Sequence, residues 1–245
     1  MEENKGKLIF EKAAENNLWG DPDSRSGTGS NLFQTRIVRE ELPRIIEKYG
    51  VKTMLDAPCG DFFWMKEIVG KITDAGCIYH GADIVENLIK ENAVKYGNEK
   101  IKFLHLNLIE QQIPKVDLVF TRDCFIHLSF ENICRILKNY KESGSKYMLV
   151  STYSNANRVN NYVKDFYLRG RVLNMRKYPF YFPEPFIIIN EGCTEGEGAY
   201  ADKSLALWKL EDIDLSRIYF NSRFSFLVHI FRRIRNKIYN VISAK

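Results

Sequence analysis

No apolar run in this 245-residue sequence approaches the roughly 20 residues that a membrane-spanning helix needs. Its 5 cysteines, Cys59, Cys77, Cys124, Cys134 and Cys193, are odd in number and contain no C-x-x-C pair. That excludes a disulfide framework and a thiolate zinc site, and predicts thiols buried as small apolar residues. There is no H-E-x-x-H and no other close set of histidines and carboxylates, so no metal site is expected. The full G-x-G-x-x-G run of dinucleotide-binding folds is also missing. The start, Met1-Glu-Glu-Asn-Lys, lacks the basic and apolar halves of a secretory signal, which predicts a cytoplasmic protein. What is present is ordinary for a globular chain: 45% apolar and 27% charged residues, enough to build one core.

Acidic residues are absent from the C-terminal stretch. From Ser216 onward Arg217, Arg223, Arg232, Arg233, Arg235, Lys237 and Lys245 meet no Asp or Glu. The net charge of +5 therefore belongs to this tail, and residues 1–215 carry 29 basic against 31 acidic side chains. A body without excess positive charge argues against a nucleic-acid partner. Within the tail Phe226, Leu227, Ile230, Phe231, Ile234, Ile238, Val241 and Ile242 recur at helical spacing. This predicts a basic amphipathic helix over 216–245 that lies peripherally on the anionic inner membrane, or docks on the body or a second subunit. The oligomeric state stays open.

Between the ends, helices and strands alternate. A helix is expected over 7–17, then a Gly- and Ser-rich loop over 20–30, then a helix capped by Asn31 and kinked at Pro43. Strands are expected over 53–57, 77–84, 101–107, 116–122, 146–153, 186–190 and 205–210, with amphipathic helices after Val85 and after Ser129. This alternation predicts an α/β fold: a doubly wound, Rossmann-like, mostly parallel seven-stranded sheet. Residues 1–50 form its helical cover, 154–200 an irregular insertion on the substrate side after the fifth strand, and 1–215 one catalytic domain.

In such a sheet ligands bind beyond the carboxyl ends of the strands. The first strand leads into L-D-A-P-C-G-D-F-F-W over 55–64, where Gly60 lets backbone approach a ligand. Asp83 ends the second strand, 23 residues later, near the offset at which an acidic residue takes up ribose hydroxyls. Asp56 and Asp61 flank the turn and would repel a pyrophosphate but tolerate a sulfonium nucleoside, so charge favours S-adenosylmethionine over a dinucleotide.

These residues resemble motif I of the class I S-adenosylmethionine-dependent methyltransferases, in a variant with Pro at the first glycine. S-R-S-G-T-G-S over 24–30, R-D-C-F-I-H-L over 122–128, G-S-K-Y over 144–147, P-E-P over 183–185 and D-K-S-L-A-L-W over 202–208 resemble a bacterial branch associated with capsule and polysaccharide modification. The resemblance runs from Trp19 to about Leu210 and implies roles by position. Asp56, Ala57, Pro58, Cys59, Gly60 and Asp61 would line the methionine part of the cofactor. Asp83 would bind the ribose, Ile84 would pack on the adenine, and Asn107, with Leu108 beside it, would accept from the adenine amino group. Arg122 and Asp123 would edge the methionine group; Arg25, Ser30 and Gln34 would fold over the cofactor, Arg25 on its carboxylate.

For the acceptor, His127 at the mouth of the pocket is the candidate base and Asp123 a second one. An anionic acceptor would need positioning instead, for which Arg158, Arg169, Arg171, Asn174 and Tyr178 in the insertion are candidates. By family analogy, the lack of N-P-P-Y after the fourth strand argues against methylation of a base amino group in DNA or an amide nitrogen in protein, which moves oxygen acceptors ahead. The expected function is O-methylation of a sugar or capsular polysaccharide precursor, including a phosphoramidate-type group, with a small-molecule or glycan-precursor partner. The alternative is a non-catalytic Rossmann-like nucleotide-binding module, or an NAD-dependent enzyme, tethered to a membrane by the basic tail.

Overall fold

The computed structural model describes residues 3–165 and 168–218. The C-terminal helix expected over 216–245 lies outside the described residues from 219 onward. Among the described residues no helix is long and apolar enough to cross a membrane.

Seven strands form one sheet: β1 (Thr53–Asp56), β2 (Ile78–Asp83), β3 (Ile101–His105), β4 (Leu118–Thr121), β5 (Tyr147–Tyr153), β6 (Ile187–Asn190) and β7 (Lys203–Lys209), ordered β3-β2-β1-β4-β5-β7-β6. The helices are α1 (Glu3–Glu15), α2 (Arg36–Lys48), α3 (Val69–Asp74), α4 (Glu86–Tyr96) and α5 (Phe130–Glu142). Successive strand side chains point to opposite faces, and each face is covered. Leu55, Val119, Met148 and Ala206 join Ile133, Leu137 and Tyr140 of α5 in one core. Their neighbours Met54, Phe120, Leu149 and Leu207 join Val38 and Leu42 of α2 and Ile72 of α3 in the other.

Local chemistry explains where elements start. Ser129 caps α5, its Oγ accepting from the Asn132 amide at 3.2 Å. Asn31 does not cap a helix as expected. Its Oδ1 accepts from the Gln34 amide at 2.9 Å and its carbonyl from the Thr35 amide at 3.1 Å. Those bonds close a turn, so α2 begins at Arg36 and runs through Pro43.

The sheet is mixed rather than mostly parallel. β7 runs antiparallel to both β5 and β6. The connection from β6 to β7 holds no α-helix to cross over the sheet, and the two strands form a hairpin whose second arm inserts beside β5. The strand order reverses between β1 and β4, leaving a crevice at the carboxyl ends of the parallel strands.

Candidate active site

That crevice spans about 1190 Å³ of space including its open mouth. The turn after β1 forms its floor. Gly60 has φ +56°, and a Cβ there would meet the Ser26 Oγ at 2.2 Å, so only glycine fits. Asp83, at the end of β2, accepts from the Gly60 amide at 3.0 Å and the Val85 amide at 2.9 Å. Each carboxylate oxygen thus keeps a lone pair for a hydroxyl donor. Ile84, Leu106 and Leu108 supply apolar wall. Asn107 also lines the crevice, but its Oδ1 takes the Ile109 amide at 3.0 Å and its Nδ2 donates to Glu110 at 2.9 Å. One lone pair of that oxygen is left for an adenine.

Asp56 is buried and receives the Tyr79 hydroxyl at 2.5 Å. Burial pushes its carboxyl up to about 8. Near neutrality it is mostly protonated, so the carboxylate-edged floor inferred from the sequence is less anionic than its composition implies. Asp61 lines the crevice, yet its carboxylate is bonded to the cover. It accepts from Ser24 Oγ at 3.1 Å, the Arg25 amide at 2.7 Å and Ser26 Oγ at 3.2 Å. Pro58, Cys59 and Ser30 also line the crevice; Ala57 is fully buried behind the turn and does not.

Two cover residues depart from their expected contacts. The Arg25 guanidinium lines the crevice but pairs with Glu91 of α4 at 2.6 Å. Gln34 does not reach the crevice; its amide exchanges hydrogen bonds with Thr194, at 2.8 Å from Nε2 to Oγ1 and 3.2 Å from the Thr194 amide to Oε1. It ties the cover to the β6–β7 hairpin instead.

Beyond β4, Arg122 and Asp123 enter a buried charge cluster that the sequence did not reveal. Arg122 Nη2 lies 2.7 Å from Glu191 Oε2 and its Nη1 3.3 Å from Asp123 Oδ2; Lys203 Nζ lies 2.6 Å from Asp123 Oδ2. Burial alone would raise the Asp123 carboxyl, but Lys203 and then Arg122 override it and hold it at about 2. A group that acidic is no general base, which removes Asp123 from that role. His127 closes the 3-10 turn Phe125–His127 and lines the crevice. Its ring lies 6.0 Å from Phe10 of α1 and 6.2 Å from Trp19 of the cover loop. The Trp19 indole donates to the Leu168 carbonyl at 3.0 Å, joining cover to insertion.

The insertion residues do not line the crevice. Arg158 is paired with Asp202. Arg171 is half-buried, donating to the Leu128 carbonyl at 2.5 Å and stacked over Phe130 at 5.1 Å. Asn174 is buried, its backbone amide bonded to Asn160 Oδ1 at 2.7 Å. Arg169 and Tyr178 are exposed. Asn174 thus ties the insertion to itself, while Arg158 and Arg171 anchor it to Asp202 and to the start of α5, because burying an arginine or asparagine requires partners close by. Sequence reasoning missed Phe10, Ala14, Cys124, Leu128 and Ile136 of the lining, all of which read as ordinary core. Among the described residues no group of three or more His, Cys, Asp or Glu could hold a metal ion.

No family model matches the chain. Solved structures share its fold. The N-methyltransferase NodS of Bradyrhizobium japonicum WM9, crystallised with S-adenosylhomocysteine, aligns with TM-score 0.59 and 12% identity over 82% of this chain and 97% of that one. Magnesium protoporphyrin IX methyltransferase of Synechocystis PCC 6803, with bound S-adenosylmethionine, aligns with TM-score 0.54 and 14% identity over 84% and 97%. The 1,6-didemethyltoxoflavin-N1-methyltransferase of Burkholderia thailandensis, with bound 1,6-didemethyltoxoflavin and S-adenosylhomocysteine, gives TM-score 0.54 and 12% identity over 74% and 81%. The chain has the Rossmann-like fold of the class I S-adenosylmethionine-dependent methyltransferases. In sequence it is similar to the phosphoethanolamine N-methyltransferase of Plasmodium falciparum (isolate 3D7), 28% identical over 141 residues. That match covers 51% of this chain and 51% of the other, so the chain spans about half the length of the curated relative.

Proposed function

We propose that this protein is an S-adenosylmethionine-dependent methyltransferase acting on an oxygen of a small-molecule acceptor, a sugar or capsular polysaccharide precursor. One observation carries the cofactor: Asp83 bridges the Gly60 and Val85 amides at the switch point and keeps two lone pairs facing a nucleoside-sized crevice. In this reading Asp83 holds the ribose, Ile84 and Leu108 hold the adenine with Asn107 at its edge, and Arg122 and Asp123 hold the amino-acid end. When bound, the cofactor supplies an electrophilic methyl group on a sulfonium. His127 accepts the proton of the attacking hydroxyl, and the rings of Phe10 and Trp19 beside it exclude water and offer faces for a sugar ring.

The capsule setting is supported by the motif resemblance alone. Within it, a neutral hydroxyl fits better than a phosphoramidate-type group, because Arg158 and Arg171 are engaged elsewhere and neither they nor Arg169 line the crevice. A cytoplasmic enzyme peripherally held on the inner membrane by its basic tail would stand near such a precursor. The test is calorimetric titration with S-adenosylhomocysteine and with NAD, followed by a radiolabelled-methyl assay against the small-molecule pool of the source cell. Micromolar binding of S-adenosylhomocysteine and an oxygen-methylated product are expected; binding of NAD in its place would overturn the reading.

A further inference from the structure

We propose that Lys203 is a positioning residue: it fixes the Asp123 carboxylate where the amino-acid end of the cofactor would be held. The inference rests on the cofactor reading above. Because β7 runs antiparallel, its first residue rather than its last stands at the ligand end of the sheet, with Lys203 in register with Tyr153 at the end of β5. The preceding arm, β6, ends at Asn190, so Glu191 arrives at the same edge. The hairpin therefore delivers one cation and one anion beside the residues that follow β4.

There they complete a set of four. Lys203 Nζ lies 2.6 Å from Asp123 Oδ2 and 3.7 Å from Glu191 Oε2, while Arg122 spans the same two carboxylates. Lys203, Arg122 and Glu191 are nearly sealed from water, with side-chain exposures of 5%, 5% and 1%. Asp123 sits in the left-handed region at φ +54°, its amide donating to Ser151 Oγ at 2.9 Å. Such a backbone persists only where its surroundings hold it. Lys203 is absent from the crevice lining, whereas Asp123 and Arg122 belong to it, so the lysine acts through the aspartate. The cover closes directly on this pair: a Cβ on Gly29 would stand 3.3 Å from Asp123 Oδ2 and 3.6 Å from Lys203 Nζ.

The charged and titratable groups around Asp123 are Lys203 from β7, Arg122 and Cys124 flanking it, His127 of the 3-10 turn, Tyr153 of β5, Glu191 after β6, and Glu195 beyond it. Without Lys203, Asp123 shares one arginine with Glu191. Burial then favours its protonated form, and a neutral carboxyl no longer holds an ammonium.

The test is calorimetric titration of the full chain with S-adenosylhomocysteine at pH 5.5 and 8. Lys203→Gln is expected to bind at least tenfold more weakly at pH 5.5 and to recover part of the loss at pH 8. Lys203→Arg is expected within about threefold of the parent. Asp123→Asn with Lys203→Gln should bind no more weakly than Asp123→Asn alone, since both act at one place. Should Lys203→Gln fail to fold, Gly29→Ala, which crowds the pair and keeps all four charges, is expected to bind at least threefold more weakly. Affinity within twofold of the parent in Lys203→Gln, or in Gly29→Ala where Lys203→Gln does not fold, or losses that add in the double variant, overturns the positioning role. If the parent protein itself does not bind S-adenosylhomocysteine, the cofactor reading fails and this inference goes with it.

Discussion

At the scale of single residues the site turns on which carboxyl groups carry charge. Burial raises Asp56 to about 8, and the Tyr79 hydroxyl bonded to it offsets that only in part. At pH 7 the ligand-free carboxyl is therefore mostly protonated. A ligand that brings an ammonium nearby favours the ionised form, so its binding drives a proton off Asp56. The sign follows: affinity for S-adenosylhomocysteine should increase as pH rises from 6 toward 8, and level off above. Titrations in two buffers of different ionisation enthalpy should show net proton release near pH 7. Asp56→Asn, whose amide oxygen still accepts from Tyr79, should flatten that slope; an unchanged slope would place the titration elsewhere. His127 makes a different demand. If it takes the acceptor's proton, His127→Ala should lower turnover by about 10²-fold or more while S-adenosylhomocysteine affinity stays within twofold. Near-normal turnover would remove the base.

At the scale of elements the decisive contact joins the cover to the first turn. Ser26 Oγ occupies the space that a side chain at position 60 would need, and Asp61 holds Ser24, the Arg25 amide and Ser26. Gly60→Ala must both adopt a left-handed backbone and displace Ser26, which costs roughly 1–2 kcal/mol for the backbone alone. Its affinity for S-adenosylhomocysteine should fall by about tenfold or more. Gly70→Ala in α3, where a Cβ meets nothing within 4 Å, is the control and should leave affinity unchanged. The same contacts show what a sequence reveals. The strands before β6 and the helix capped by Ser129 were legible because apolar periodicity and a cap residue are local signals. The direction of β7 was not, since a strand buried on both faces reads alike either way. Asp83 and Gly60 were legible because the fold fixes their spacing. The partners of Arg25, Asp61 and Arg158 were not: each lies more than 30 residues away, and a charge alone does not say which opposite charge it will meet.

At the scale of the whole molecule, ligand and tail make separable contributions. The crevice is walled by α1, the cover loop and the ends of β1, β2 and β4, so a ligand there ties together segments from Phe10 to Ile136 and should stabilise the entire fold. With S-adenosylhomocysteine at about 100 times its dissociation constant, the gain is about 2.7 kcal/mol. For a domain of this size that corresponds to a rise in Tm of roughly 5–10 °C, readable by calorimetry. The tail should leave this shift untouched. Its charge is segregated: seven basic residues and no acidic one follow Ser216, on a body whose acidic side chains slightly outnumber its basic ones. Such a body is repelled weakly by an anionic bilayer, so any attraction must come from the tail, at about 1 kcal/mol per basic residue near the surface and with strong screening by salt. The intact protein should sediment with vesicles rich in anionic lipid at low ionic strength and be released as salt is raised. Removal of residues 221–245 should abolish sedimentation while preserving the ligand-induced rise in Tm. An intact protein that stays in the supernatant under all these conditions would assign the basic helical pattern to a protein surface instead, since a docked helix needs the same apolar spacing but does not respond to lipid charge.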